Sequence, residues 1–578
     1  MQIGLNMSLS GLRTLDPAAS VRALFTNDEP GVWFEANDAS TLFTDVAGTT
    51  PVTTPGDAVA LQLDKSQGLT LGPELVTNGT FDTDVSGWDA DANGTISWDN
   101  GTLKYTGTGA GPTFMDASQT LSTIVGQRYR VSFELTALSP TNPIRCVVTG
   151  TSDVITVNDS GVAVGDFIAT NTSTLFKIGI VGGVLGETFN IDNISVRELP
   201  GNHRTQATTA ARPLYALHPV GGVRNKLEYT EEFDNAVWVG DRITKNSSTL
   251  FTATASNGVH AIIQSFSCEN GQDYTFRSKL KYENNRFVSL RIFAGIFPHV
   301  CFDLINGTIA GTQSGALGTI EDLGNGEYLC TITVTATTTG TGNACIFLQP
   351  DATNYGSAWT ALGTEQVTAK EHQLEEGSTA TNYQKVRSFL DVSEEGKARR
   401  GRLWYNGTSH FMETGTITPG TDKVQVFAGV RKLSDAAAGI LIESSTISET
   451  SNGAFGIAAP GSFAKVIAIS RGTIIRTAGT TDAAYNAPTT RVVSTFGDIS
   501  GDRVALHIDG TQVAQSTESQ GTGNYLAYPI YFGARAGTSL FYNGYEDTSI
   551  IRFGPNLDDT TISKVESYVA SKTPEPTL

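Results

Sequence analysis

The sequence predicts an all-β chain built from several β-sandwiches, opened by a small mixed segment and closed by a short helix. Three observations carry this. At 578 residues the chain exceeds what one hydrophobic core can organise. Only 17% of residues are charged, and glycine, threonine, serine and asparagine punctuate it throughout. Short runs that alternate apolar and polar lie between those turn residues, as strands with one buried face do.

The same numbers exclude function classes. A net charge of −19 argues against a nucleic-acid surface, which needs a basic patch. No run of about 18 apolar residues is present, so no membrane span is expected. Met1 to Met7 lack the basic and apolar sections of an export signal, so synthesis in a cytosol is expected. The five cysteines, Cys146, Cys268, Cys301, Cys330 and Cys345, fit no zinc or C-x-x-C spacing. Cys330 shares a phase with Tyr328, Ile332 and Val334, which predicts a buried thiol, and all five are expected to be reduced.

Taken in order, residues 1–70 differ in character from the rest. Asp16-Pro17 reads as an N-cap and first-turn proline, and Val21, Leu24 and Phe25 follow at helical spacing. This segment reads either as an anchor for another protein or as a small folded cap on the first sandwich. In 71–199, Tyr129, Val131, Phe133 and Leu135 alternate with Arg130, Ser132 and Glu134. Phe189 and Ile191 share one phase and Ile194 and Val196 the other, so a β-bulge is predicted at Asp192-Asn193. Residues 200–225 are a connector rich in breakers. In 226–386, Tyr274, Phe276, Leu280 and Tyr282 define a second sandwich. In 387–578, Val424–Val430 alternates and Asp509-Gly510 marks a tight hairpin after Ile508. From Asp558, an aspartate cap precedes Ile562, Val565, Tyr568 and Val569 on one helical face.

The ends of 71–199, Leu-Gly-Pro-Glu-Leu-Val-Thr-Asn-Gly-Thr-Phe (71–81) and Phe-Asn-Ile-Asp-Asn-Ile-Ser-Val (189–196), resemble the jelly-roll carbohydrate-binding modules of xylanase type. Both ends of 226–386, with Asn-Lys-Leu-Glu-Tyr-Thr (225–230) and His-Gln-Leu-Glu-Glu-Gly (372–377), resemble a phage-associated module of the same kind. Ala-Leu-His-Ile-Asp-Gly-Thr-Gln-Val (505–513) and Phe541-Tyr542-Asn543-Gly544 resemble a concanavalin or laminin-G-like sandwich. The runs 29–52 and 60–69, and Asn202 to Tyr215, resemble the corresponding segments of bacteriophage, prophage and gene-transfer-agent spike or fibre proteins. The resemblance implies two jelly rolls and a lectin-like sandwich, with residues 226–386 inserted between strands of the last, and residues 1–70 anchoring the chain to other virion proteins.

Three kinds of chemistry have candidates. Asp89-Ala90-Asp91-Ala92-Asn93-Gly94 has the D-x-D-x-N-G form of a calcium loop, but Asn100 stands where the bidentate glutamate belongs, and a polar turn is the competing reading. The resemblance to jelly-roll modules also implies a structural calcium beside the first and last strands, at Glu74, Asn78 and Asp192; a carboxylate there can equally cap backbone N–H groups. No other cofactor is expected. Sugar rings stack on flat aromatic faces, so Trp88, Trp98 and Tyr105 in the first module are candidate platforms. Trp238, Tyr282 and Trp359 in the second and Tyr542 and Tyr545 in the last complete the set, against the alternative that they fill cores. Catalytic signatures are lacking: there is no H-E-x-x-H, no G-x-S-x-G, no phosphate loop, and no E-x-D-x-x-E strand of the kind lectin-like hydrolases carry.

The expectation is therefore a non-enzymatic fibre or spike of a phage-type virion that binds host-surface polysaccharide during adsorption. Weak sugar sites would gain avidity from many copies. Analogy with other fibres implies a homo-oligomer, a trimer being expected, although no coiled-coil heptads are present. Two alternatives stay open: a polysaccharide depolymerase, and a structural virion protein whose sandwiches bind protein neighbours.

Overall fold

A computed structural model describes residues 18–109, 114–138, 142–150 and 153–575, and the chain is all-β with separate sheets and two short α-helices among those residues. The Asp16-Pro17 cap lies outside the described residues. The chain divides into two compact units: one joins Met1–Tyr215 to Arg402–Leu578, and the other is Ala216–Gly401.

The first unit holds two sandwiches. Its lectin-like sandwich has one sheet in which Arg399–Asn406, Asn543–Phe553, Lys423–Lys432, Thr489–Asp498, Arg503–Ile508 and Thr511–Ser516 lie side by side. The facing nine-stranded sheet runs Leu42–Phe43, Leu61–Gln62, Arg204–Thr205, Met412–Thr414, Ile530–Phe532, Ile440–Ser444, Ala454–Ala458, Val466–Arg471 and Ile475–Thr480. Phe34 against Phe532, and Phe455 against Phe553, fill the space between the two sheets. The helix Asp559–Lys572 is capped by Asp558, whose carboxylate accepts from the Thr561 N–H at 2.8 Å. Its Ile562, Val565, Tyr568 and Val569 cover the outer side of the first sheet together with Val21, Leu24 and Phe25.

Residues 18–69 are thus not a separate head piece. The strand Gly31–Glu35 pairs with Asn543–Phe553, and all five of its residues are buried. Such a run needs both faces covered, which a fragment of this length cannot do alone. Arg552 fixes the junction, donating to the Leu24 carbonyl at 2.8 Å and pairing with Glu29 at 2.9 Å. The first jelly roll is inserted between Leu61–Gln62 and Arg204–Thr205, which are themselves paired. Fully buried Asp64 ties the two ends of the insertion, accepting from the N–H groups of Trp33, Ser66 and Asn202. The arginine of the Ala-Arg-Pro run, Arg212, locks the connector by donating to the carbonyls of Gln206, Ala207 and Thr44.

The inserted jelly roll has two five-stranded sheets. One runs Ile155–Val157, Ile144–Val148, Ser173–Val181, Phe114–Ser122 and Asp89–Ala90. The other runs Gly161–Ile168, Arg128–Leu138, Thr188–Leu199, Thr102–Gly107 and Gly94–Asp99. The predicted bulge is present: register shifts between Asp192 and Ser195, and Asn193 takes a left-handed φ of 51°.

The second unit is a larger copy of that architecture. One six-stranded sheet runs Val239–Asp241, Ala261–Cys268, Gly340–Gln349, Phe287–Phe293, His299–Asp303 and Thr308–Gln313. The other runs Ile243–Lys245, Leu250–Ala253, Gln366–Glu376, Asp273–Tyr282, Glu327–Thr335 and Leu317–Gly324. Trp238, Phe233, Phe251, Tyr274 and Phe276 dominate the core, and a hairpin of Gln384–Ser388 and Asp391–Glu394 follows. All five cysteines are free and buried, Cys330 within this core.

Candidate functional site

The outward side of the sheet bearing Asp273–Tyr282 is built from alternation. Tyr274, Phe276 and Leu280 enter the core, which turns Lys279 outward. On the neighbouring strand Val367 and Ala369 point inward and then so do His372 and Leu374, an odd spacing that requires a bulge. Glu371 absorbs it with a φ of 53° and turns outward to pair with Lys279 at 2.6 Å. The hairpin is held over this surface by two buried amides. Gln384 accepts from the Arg224 N–H at 2.7 Å and donates to Glu394 at 2.9 Å, while Asn225 donates to the carbonyls of His372 and Gln384.

Between sheet and hairpin lies a cleft of about 640 Å³ lined by Glu231, Lys279, Glu371, Asn382, Tyr383, Lys385, Ser393, Glu394 and Glu395. Lys385 pairs with Glu231, and Arg224 with Glu394 at 2.7 Å. Burial raises the Glu394 carboxyl, but the hydrogen bond from Gln384 and the ion pair with Arg224 outweigh it and leave it below the usual carboxylate range. Burial pushes the Tyr383 phenol up, and its hydroxyl lies 2.7 Å from Thr230 Oγ1. The volume falls in the range of ordinary ligand sites, about 300–1,000 Å³. The lining offers both acceptors and donors, which suits a ligand covered in hydroxyl groups.

Most of the aromatic candidates lie elsewhere. Trp88, Tyr105, Trp238, Tyr542 and Tyr545 are buried and present no ring face to solvent. Trp88 packs on Phe81 and Phe176, Tyr105 stacks on Phe189 at 5.0 Å, and Trp238 packs on Phe233 and His372. Tyr542 donates to the Arg431 carbonyl, and Arg402 lies over the Tyr545 ring. Trp359 is half-buried, donating to the Leu348 carbonyl at 3.2 Å with its ring against His260. Trp98 is 47% exposed but lies in register with core Leu103, and its N–H donates to the Phe81 carbonyl. Tyr282 is 38% exposed at the end of its strand.

The calcium candidates do not converge. Glu74 accepts from Ser195 Oγ, the Val196 N–H and Arg197, tying the opening segment to the last strand as a cap. Asn78 donates to Asp84 and to the Ser86 carbonyl. Asp192 accepts from the Asn193 N–H. Asp91 accepts from the Tyr105 hydroxyl and from the N–H groups of Asn93 and Asp116, as a turn aspartate does, while Asp89 is exposed. Among the described residues no group of three or more His, Cys, Asp or Glu side chains is placed to hold a metal ion.

The cleft residues escaped sequence reasoning because their roles depend on a bulge and a distant hairpin. The phase slip at Lys370-Glu371 was the available signal, equivalent to that at Asp192-Asn193. A second cross-strand arrangement lies in the lectin-like sandwich, where Glu413, Tyr531 and Glu443 share one row on three adjacent strands. Glu443 is wholly buried there and committed to the Ser448 N–H at 2.8 Å and Arg535 at 3.2 Å.

No family model and no curated protein matches the chain. Among solved structures it is similar to a CBM4 module, at 15% identity over 21% of this chain and 99% of that one, with a TM-score of 0.19. It is similar to the N-terminal CBM22-1–CBM22-2 tandem domain of Paenibacillus barcinonensis Xyn10C, at 10% identity over 53% and 98%, with a TM-score of 0.20. A Trypanosoma rangeli sialidase aligns at 9% identity over 92% and 97%, with a TM-score of 0.23. At these scores the functional argument rests on the geometry of this chain.

Proposed function

We propose that this chain is a glycan-binding attachment protein, the fibre or spike of a phage-type virion, and that it holds its ligand without cutting it. The observation that carries the glycan reading is the polar cleft of about 640 Å³ beneath the 384–394 hairpin. Carboxylates there accept hydrogen bonds from hydroxyl groups, while Lys279, Lys385 and the Asn382 amide donate. Three of its four carboxylates, Glu231, Glu371 and Glu394, already face a cation. That supports holding, because hydrolysis by two carboxylates needs one kept protonated by a raised pKa. The virion assignment is supported by the resemblance of 29–52, 60–69 and 202–215 to phage spike segments, and anchoring to other virion proteins through residues 1–70 belongs to the same proposal.

A glycan array with the full chain tests this, followed by incubation with each bound polysaccharide. The expected result is weak binding that Lys279→Ala with Asn382→Ala reduces at least about tenfold, with no new reducing ends. New reducing ends would establish the depolymerase alternative. An array with no hit would favour a structural virion protein.

A further inference from the structure

The opposite sheet of the second jelly roll carries a cation with no counter-ion among the described residues. Arg291 sits in the strand Phe287–Phe293, in register with His299 on one side and Cys345 on the other. Its guanidinium lies 4.5 Å from the centre of the Phe347 ring and 5.7 Å from that of Phe297. Phe297 is 59% exposed and packs on Phe293 at 4.9 Å. Of the five N–H donors of Arg291, one reaches Cys345 Sγ at 3.6 Å, and a thiol is a weak acceptor. Its Nε is buried without a partner, and among the described residues no carboxylate lies within ion-pair distance. Asp303, two rows along the same face, is already taken by Arg286 at 2.6 Å.

The polar groups around it are poorly satisfied. Ser289 Oγ accepts from Gln349 at 2.5 Å and lies 3.3 Å from His299 Nδ1. Burial, and then the charge of Arg291, push His299 down to about 4, so it is uncharged near neutral pH. Gln349 is 1% exposed, yet its Oε1 has no partner, and neither has the buried Oδ1 of Asn354. Half-buried charge and orphaned amide oxygens are costly unless something supplies partners.

We propose that this face is a second binding site, selective for a sugar that carries a carboxylate, with that carboxylate docked on Arg291. The planar guanidinium matches a carboxylate in two parallel hydrogen bonds. The sugar's C–H face would lie on Phe297, which is exposed. The chain's net charge of −19 repels anions at long range, so recognition has to come from such short-range pairing. This inference rests on the glycan-binding reading but uses residues on the opposite sheet from the cleft.

The experiment titrates the full chain with tetragalacturonate, a hyaluronan tetrasaccharide and a sialylated trisaccharide, each beside its neutral methyl ester. At least one acid should bind about tenfold or more tightly than its ester. Arg291→Met should abolish that preference at unchanged melting temperature. Phe297→Ala, a change at an exposed ring, should weaken binding of the same acid severalfold. Equal affinity for acid and ester, or an unchanged preference in Arg291→Met, overturns the inference. Binding of neutral glycans alone overturns it while leaving the glycan-binding reading intact; no binding of any glycan overturns both.

Discussion

In the first jelly roll Trp88 donates to the carbonyl of Asn78, and in the second Trp238 donates to that of Tyr229, with both acceptors in left-handed conformation. Gln119 and Gln264 each exchange two hydrogen bonds with the opening segment, at Thr77 and Glu228. Tyr129 and Tyr274 each accept from the N–H five residues upstream. The closing strand of each carries one bulge, at Asn193 and at Glu371. Over this common frame the faces differ. All six basic residues of 71–199, Lys104, Arg128, Arg130, Arg145, Lys177 and Arg197, are ion-paired. The second module leaves Arg291 unpaired and builds a cleft around its bulge. The frame therefore explains the fold, and the decoration of each face decides what that face can bind.

The largest expected effect breaks the frame itself. Trp88→Ala and Trp238→Ala should each cost about 3–5 kcal/mol, each in its own module, because each empties a packed core. Calorimetry of the full chain should show one transition falling in each variant; a shared fall in both would contradict two independent cores.

Acid separates the modules next. Residues 71–199 contain no histidine, whereas His299 and His372 are buried in the second module and pushed down from 6.5 to about 4 and about 3, chiefly by burial. Between those values and 6.5 the unfolded chain binds protons that the folded module does not. Stability present above about 6.5 is therefore lost as pH falls through that window. In the first module Asp116 and Asp166 lie above the ordinary range, because burial outweighs Lys177 and Arg130. Those two take up protons before the unfolded chain does, so falling pH favours the folded form. The second module should melt first on acidification; the reverse order would contradict the assignment.

These particulars show what was legible beforehand. Strand phase alone locates Tyr129–Leu135 and the bulge at Asp192-Asn193, and helical spacing the face of Ile562, Val565, Tyr568 and Val569, since periodicity records burial directly. The aromatic candidates carry no local mark of burial: Trp88, just before its strand, is walled in by Phe81 and Phe176, whereas Trp98, on the outermost strand Gly94–Asp99, stays 47% exposed. Gly31–Glu35 carries no local sign of the sheet it joins, because its partner lies more than 500 residues away, at Asn543–Phe553. Arg291 was silent because an unpaired charge is defined by the absence of neighbours that only the fold brings near.

The smallest effect sharpens the bulge comparison. Glu371→Gly relieves a left-handed side-chain-bearing residue but removes the pairing with Lys279, so stability should change by less than about 1 kcal/mol. Glycan binding at the cleft should nevertheless fall, whereas Asn193→Gly should leave it unchanged. Thermal melts paired with array intensities read both.

On the proposed reading the second jelly roll holds the sugar and the first does not. One glycan array decides between them, comparing the unaltered chain, Lys279→Ala with Asn382→Ala, and Trp98→Ala in the first module. The cleft variant should lose the bound glycans and Trp98→Ala should keep them. Loss in Trp98→Ala with full binding by the cleft variant would contradict it.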